Sequence, residues 1–353
     1  MAIDRFSRHA RMPASGPMFV SMASTSASPT SSPLQSMPKL YPADLFSMCA
    51  DLPAKRVCAR DLRAPHGVSA ARLAESVVAA LIDEVTLSPK PGLVDLRGSG
   101  AHRDLSWSLM CTSATALQPA FEAMARAGLS ILDDRRLRET IGALGREGEA
   151  RMFDATGGIN THRGAIWALG LLVTAAAQDL DRLSAADVAS RAGALARLPD
   201  RHAPATTGNK GEAARRTYQV GGACGQAQAA FPHVIDVALP ELARSRCAGD
   251  TETAARLNAL LAIMASLDDT CVLARGGRDA LRTLQHGARD TLERGGAGSP
   301  EGRRALKALD RRLLDLHVSP GGAADLLAAA LFLDRLAGLD AEHPAEHPSS
   351  END

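Results

Sequence analysis

Read for the placement of its apolar side chains, the chain is helix after helix between about residues 69 and 340. Ser69 is placed as an N-cap, and Leu73, Val77, Leu81 and Val85 follow at i+4 spacing until Pro89 stops the pattern. A second helical stretch runs from about Leu105 to Gly128. A third starts near Asp133, carries Leu137, Ile141, Leu144, Gly148 and Met152, and ends before Gly157-Gly158. From Thr161 to Leu180 the chain is apolar nearly all round, as a central buried helix is. Further helical patterns cover about 184–198, 210–229, 233–247, 251–275, 279–293, 301–316 and 321–338. Period-2 runs rich in Val, Ile, Tyr and Thr are missing, and no fixed repeat stands out. The pattern predicts an all-α fold with one multi-helix domain over 69–340. A mostly disordered or irregular extension, 1–68, precedes it, and a polar tail, 341–353, follows. Ser21 to Met37 has no period and almost nothing to bury, so disorder is expected there; the start lacks the continuous apolar middle of a secretory signal.

Forty basic and forty acidic side chains among 353 residues cancel, which argues against coating nucleic acid or an anionic membrane by bulk charge. Aromatic residues make up only 3%, so the core is expected from Ala, Leu, Val and Ile, and base-stacking platforms are not expected. Cysteines stand at 49, 58, 111, 224, 247 and 271 with no CxxC pair. Four or five of them are expected as small buried hydrophobes on apolar helix faces, in a reduced, cytoplasmic protein. The longest apolar stretch, Gly164 to Ala177, is too short for a membrane span, which needs about 20 residues.

The informative residues interrupt the helices. Ser88-Pro89-Lys90-Pro91-Gly92-Leu93-Val94-Asp95 is a stiff loop presenting Lys90 and Asp95, and His102 and Asp104 follow within a few residues. A tight helix–helix turn with solvated charges explains these residues equally well. In the second interruption, Arg146 and Glu149 share a helix face ahead of Thr156-Gly157-Gly158-Ile159-Asn160-Thr161-His162-Arg163. Asn160 or Thr161 can cap the next helix, whose free N–H groups beside His162 and Arg163 suit a phosphate. Third, Asp268 and Asp269 are adjacent acids that can hold Mg²⁺ or simply form a solvated face. Fourth, Ser319-Pro320 starts a helix whose Gly321 and Gly322 allow close approach of a ligand, with Asp325 one turn in. No Walker loop, GxGxxG, HExxH or GxSxG occurs.

Five segments occur in an order that resembles one family: SPKPGLVD at 88–95, GAHRD at 100–104, TGGINTHRGAIWALGLL at 156–172, DDTCVLARGG at 268–277 and SPGGAADLLA at 319–328. They resemble triphosphoribosyl-dephospho-coenzyme A synthase, which makes the prosthetic-group precursor for citrate lyase and malonate decarboxylase. Arg163, where the citrate-lyase branch commonly has lysine, looks more like the malonate decarboxylase branch. The resemblance implies that ATP and 3′-dephospho-coenzyme A yield 2′-(5″-triphosphoribosyl)-3′-dephospho-coenzyme A and adenine. A separate transferase then loads the product onto an acyl-carrier subunit. On this reading Lys90, His102, Asn160, Thr161, Arg163, Gly321 and Gly322 bind the nucleotide, and Glu149, Asp95 and His162 serve the reacting sugar. Asp268, Asp269 and Asp325 are then the Mg²⁺ ligands.

The chain departs from the family at Thr206-Thr207-Gly208 and at Cys224 and Gln226, where relatives tend to carry an arginine and a carboxylate. Ala274 stands where histidine is common. These changes keep two other readings open: a Mg²⁺-dependent N-glycosidic hydrolase, and a catalytically impaired helical module that binds a nucleotide or a carrier.

Overall fold

The first helix begins where its cap is expected. Ser69 accepts a hydrogen bond from the Arg72 N–H, and Leu73, Val77 and Leu81 turn inward. The computed structural model describes residues 68–341 except Thr207. The expected disordered extension, Cys49, Cys58 and the polar tail past Ala341 lie outside those residues. The helices are α1 (Ala70–Thr86), α2 (Trp107–Ala116), α3 (Gln118–Ser130), α4 (Asp134–Thr156), α5 (Arg163–Gln178), α6 (Ala185–Arg197) and α7 (Lys210–Tyr218). They continue with α8 (Gly222–Gln228), α9 (Leu239–Cys247), α10 (Glu252–Ser266), α11 (Thr270–Glu293), α12 (Pro300–Asp315) and α13 (Gly321–Ala341). Among the described residues the only extended pairing is an isolated bridge between Asp95 and Gly98. The fold is all-α, as predicted.

The apolar helix α5 lies at the centre and packs on α1, α3, α4, α6 and α13. Its neighbours approach closely because small residues line the contact. A Cβ on Gly128 of α3 would lie 2.4 Å from the Thr174 carbonyl of α5, and one on Gly170 would lie 2.8 Å from the Met124 sulfur. Helices α10, α11 and α12 form a second packed group.

Local chemistry breaks several long periodic stretches. Pro119 near the start of α3 separates α2 from α3 within 105–128. Gln219 in a left-handed conformation separates α7 from α8 within 210–229. The expected helix over 251–275 stops at Ser266, since Leu267 and Asp269 are extended and Asp269 caps a new helix. That new helix joins the expected 279–293 helix across a kink at Gly277, whose φ is +66°. His233–Ala238 opens the 233–247 pattern as a π-helical turn. Ser319 does not cap α13: its hydroxyl is buried without a partner, and Asp269 supplies the cap from another element, 2.9 Å from the Ala323 N–H. The cysteines also differ from expectation: Cys111, Cys224 and Cys271 are half-buried and Cys247 is exposed. Among the described residues no single helix is long and apolar enough to cross a membrane.

Candidate functional site

The loop after α1 is built around Asp95. Its carboxylate accepts hydrogen bonds from the Ser88 hydroxyl (3.1 Å), the Lys90 N–H (2.9 Å), the Arg97 N–H (2.7 Å) and the Arg97 Nε (2.9 Å). Burial opposes its charge, but these donors and the Arg97 guanidinium hold the carboxyl below the usual range. Asp95 is thus fully engaged as the organiser of the loop, not as a free base. Arg97 also pairs with Asp310 of α12 at 2.9 Å, and the Gly92 N–H donates to the same carboxylate. Lys90 does not point to solvent. It is 1% exposed, and its Nζ lies 2.5 Å from Glu84 Oε1 on α1. Burial raises the Glu84 carboxyl, with Lys90 opposing.

At the α4–α5 junction, Thr156 donates to the Ile159 carbonyl (2.6 Å), and Gly157 and Gly158 take positive φ, turning the chain. Asn160 accepts from the Arg163 N–H at 3.3 Å. His162 is 3% exposed; its Nδ1 lies 2.9 Å from the Ser113 hydroxyl of α2, which in turn contacts the Thr161 hydroxyl at 2.6 Å. Its Nε2 is buried without a partner. Burial first, and then the charge of Lys90, pushes the imidazole down to about 4, so it is neutral near pH 7. Arg163 pairs with Glu149 at 2.7 Å and stacks 5.9 Å from the Phe153 ring centroid.

The N-terminus of α5, expected to face a phosphate, is taken by a carboxyl of the protein itself. Asp325 of α13 accepts from the Ala165 N–H and fills the space that Gly164 leaves, where a Cβ would lie 2.0 Å from its Oδ2. Burial, followed by the negative charges of Glu84 and Asp269, pushes the Asp325 carboxyl well above the usual range. Asp269 is 1% exposed and bridges two helix starts. One oxygen accepts from the Cys271 and Val272 N–H groups and the other from Ala323. Gly321 and Gly322 make room for Cys271 and Asp269, a Cβ on each falling 3.2 Å and 3.1 Å from them. Asp268 stands apart and exposed. Among the described residues no cluster of three or more His, Cys, Asp or Glu can hold a metal ion. Exposed Asp268 does not join the buried Asp269 and Asp325 in one group of three.

His102, expected to bind the nucleotide, is pushed down to about 4 by burial and then by Arg275. Each of its ring nitrogens lies 3.3 Å from one terminal nitrogen of Arg275. The ring nitrogens point apart in plane, so this geometry is a stack of guanidinium on imidazole, and Arg275 carries the charge there.

The four interruptions thus come together. Lys90 acts electrostatically on His162, Glu84 on Asp325, and Asp325 and Arg275 on Cys271. Glu84, Arg97, Ser113 and Asp310 escape sequence reasoning. For Glu84 a signal existed, because an acid three residues after Leu81 falls on the apolar face of α1. The others sit on unremarkable helical or loop positions and acquire meaning only through their partners. Of the departures from the family pattern, Gln226 contacts His233 Nδ1 at 2.9 Å, Cys224 lies within electrostatic reach of Arg138, and Ala274 is exposed.

Comparison with known proteins gives one consistent answer. Residues 70–343 match the family model described as CitG, ATP:dephospho-CoA triphosphoribosyl transferase. A protein of Azotobacter vinelandii named "Probable 2-(5''-triphosphoribosyl)-3'-dephosphocoenzyme-A synthase" is 60% identical over 273 residues, 77% of this chain and 94% of the relative. The 2-(5''-triphosphoribosyl)-3'-dephosphocoenzyme-A synthase of Klebsiella pneumoniae is 56% identical over 266 residues, 75% of this chain and 95% of that protein. No solved structure matches the chain. A family match across nearly the whole described fold, with relatives this similar over almost their full length, means that the chain belongs to the triphosphoribosyl-dephospho-CoA synthases, a family of transferases that use ATP and dephospho-CoA.

Proposed function

We propose that this chain transfers the triphosphoribosyl group of ATP to the 2′-hydroxyl of 3′-dephospho-coenzyme A and releases adenine. The observation that carries the reading is the convergence of all four chemistry-bearing interruptions on one buried cluster around Lys90, Glu84, His162 and Asp325. In the reaction the C1′–N9 bond of ATP breaks, the acceptor oxygen bonds to C1′, adenine leaves with the bond electrons, and the hydroxyl proton passes by way of a base to the departing adenine, which is released neutral. Arg163 and Arg275 meet the triphosphate from the partly open side. Engaging Arg163 with phosphate frees Glu149 from its ion pair to act at the sugar, as base or as partner of the oxocarbenium-like centre. Neutral His162 offers its unpartnered Nε2 to the substrate, while Ser113 and Thr161 fix the ring.

Asp269 is already bonded to backbone donors and Asp268 is exposed, so these two are poorly placed to hold a resident metal together with Asp325. Mg²⁺ accordingly enters as the companion of the ATP triphosphate, which suits an ion that keeps its waters and binds substrate phosphates. The product serves a transferase that loads the acyl-carrier subunit of a decarboxylase or lyase in the cytoplasm. Our preference for malonate decarboxylase rests on the sequence alone, on arginine at position 163 where citrate-lyase relatives commonly carry lysine.

The test is adenine release with ATP, Mg²⁺ and 3′-dephospho-coenzyme A, omitting each in turn. Adenine only when all three are present, with a triphosphoribosyl mass gain on the acceptor, is expected. Adenine without acceptor would make the protein a hydrolase; none from a folded protein that binds both nucleotides would make it a binding module.

A further inference from the structure

Arg138 sits inside the protein on α4, 7% exposed, yet its Nε has no acceptor. The carboxylate beside it, Asp200 Oδ2, is 3.8 Å from its Nη1, beyond hydrogen-bond distance. Asp200 is committed elsewhere: it accepts from Arg146 at 2.7 Å and from the His202 N–H at 2.9 Å. The absent side chain of Gly142 lets that carboxylate lie against α4, where a Cβ would fall 2.1 Å from Oδ2. The Arg138 guanidinium lies 5.2 Å from the ring centroid of Trp167 on α5, and the Trp167 indole N–H is also buried without a partner. Two guanidiniums thus share one carboxylate, while two buried donors stay empty.

We infer that Arg138, Arg146 and Trp167 form an oxyanion subsite for a phosphoanhydride group, separate from the buried cluster around Lys90. The unpartnered Arg138 Nε and Trp167 N–H, with the Arg146 guanidinium nearby, offer donors to the oxygens of a diphosphate, and the one Asp200 carboxylate offsets only one of the two guanidinium charges. Arg146, with its side chain 36% exposed, makes the subsite reachable from solvent. Arg138, Gly142, Arg146 and Glu149 recur at helical spacing along α4, so the subsite continues the face that carries the Glu149–Arg163 pair. About 16 Å of helix axis separates Arg138 from Glu149. The inference rests on the proposed nucleotide chemistry only for its source of diphosphate, which both ATP and dephospho-coenzyme A carry.

The chain has two tryptophans, so Trp107→Phe in the full chain leaves Trp167 as the sole indole reporter. Titration with inorganic diphosphate is expected to change Trp167 emission saturably. Arg146→Gln should weaken that binding about tenfold, and Arg138→Gln should abolish it with helical circular dichroism intact. Should Arg138→Gln fail to fold, Arg146→Gln decides. Competition by ATP or by dephospho-coenzyme A identifies which nucleotide brings the group. No saturable emission change with diphosphate or either nucleotide, or one unaffected by Arg146→Gln, overturns the inference. Adenine release measured on the same protein separates the two readings. Release with a silent Trp167 removes only the subsite, and diphosphate binding without release removes only the proposed transfer.

Discussion

Removing the ammonium from the Lys90–Glu84 pair would leave a buried carboxyl facing Asp325 with no counter-charge. Lys90→Met is therefore expected to cost about 3–5 kcal/mol in urea unfolding, and the double variant Glu84→Leu/Lys90→Met to recover most of it without recovering adenine release. A pair kept only for stability would let activity return as well. Gly164 offers a cleaner probe of Asp325. Alanine is the better helix former, so Gly164→Ala should fold, yet its methyl must displace the carboxyl that now sits 2.0 Å from that point. Adenine release should fall about a hundredfold, since a shift of about 1 Å in a site has that scale, with a stability loss of about 1–3 kcal/mol from overpacking and the disturbed α5 start. His162 makes a pH prediction. Its folded value is depressed from 6.5 to about 4, so on acidification the unfolded chain takes up the proton first. Stability from this group is complete above pH 6.5 and is lost as pH falls toward 4, by about 3 kcal/mol in total. The raised carboxyls of Glu84, Asp269 and Asp325 titrate in the opposite sense, so the difference between wild type and His162→Gln at each pH isolates the imidazole. These residues were legible to very different degrees. Lys90, Asp95, His162 and Asp325 announce themselves as polar residues at helix ends, but their partners sit on other elements, and the partners decide the roles. His102 and His162 look cationic in sequence and are neutral in the fold because burial next to Arg275 or Lys90 disfavours the proton.

Among the elements, the starts of α11 and α13 share a single capping side chain. Asp269 serves N–H groups on both, whereas Ser69 and Ser299 each cap one helix. Asp269→Ala should therefore cost about 2–4 kcal/mol, against about 1 kcal/mol for Ser299→Ala, by equilibrium unfolding. Equal costs would mean that the α13 contact contributes nothing. Capping residues adjacent in sequence to their helices, such as Ser69 and Asp133, were readable from the chain. The α13 cap was not, because Ser319-Pro320 has the right local form while a carboxylate from another element occupies the place. Breaks inside periodic stretches were hidden for a related reason. At 267–269 the apolar period runs on and only the local backbone marks the corner, while Pro119 and Gly221-Gly222 sit inside long helical patterns that mask them.

Taken whole, the molecule holds its proline-rich loop from a distance. Arg97 links Asp95 in the loop to Asp310 on α12, more than 200 positions later in the chain. Although the Arg97 side chain is 46% exposed, its partner Asp95 is 2% exposed, so Arg97→Ala should lower stability by about 1–3 kcal/mol in equilibrium unfolding. The same variant should lower kcat/KM for adenine release about tenfold by loosening the frame around Lys90, and an unaltered kcat/KM would assign the bridge to stability alone. The sequence by itself determined the all-α class, the central place of α5, the ordered segments that resemble the family, and the stations where chemistry gathers. All of these follow from short-range pattern: hydrophobic period, capping residues, and the glycines and prolines that end helices. Only the tertiary structure decided that Lys90 is buried against Glu84, that Asp325 and not a ligand closes the start of α5, and that Asp269 caps two helices instead of joining a metal site. The physical reason is that burial and the nearest charge set the protonation and freedom of each group, and both are supplied by elements far away along the chain.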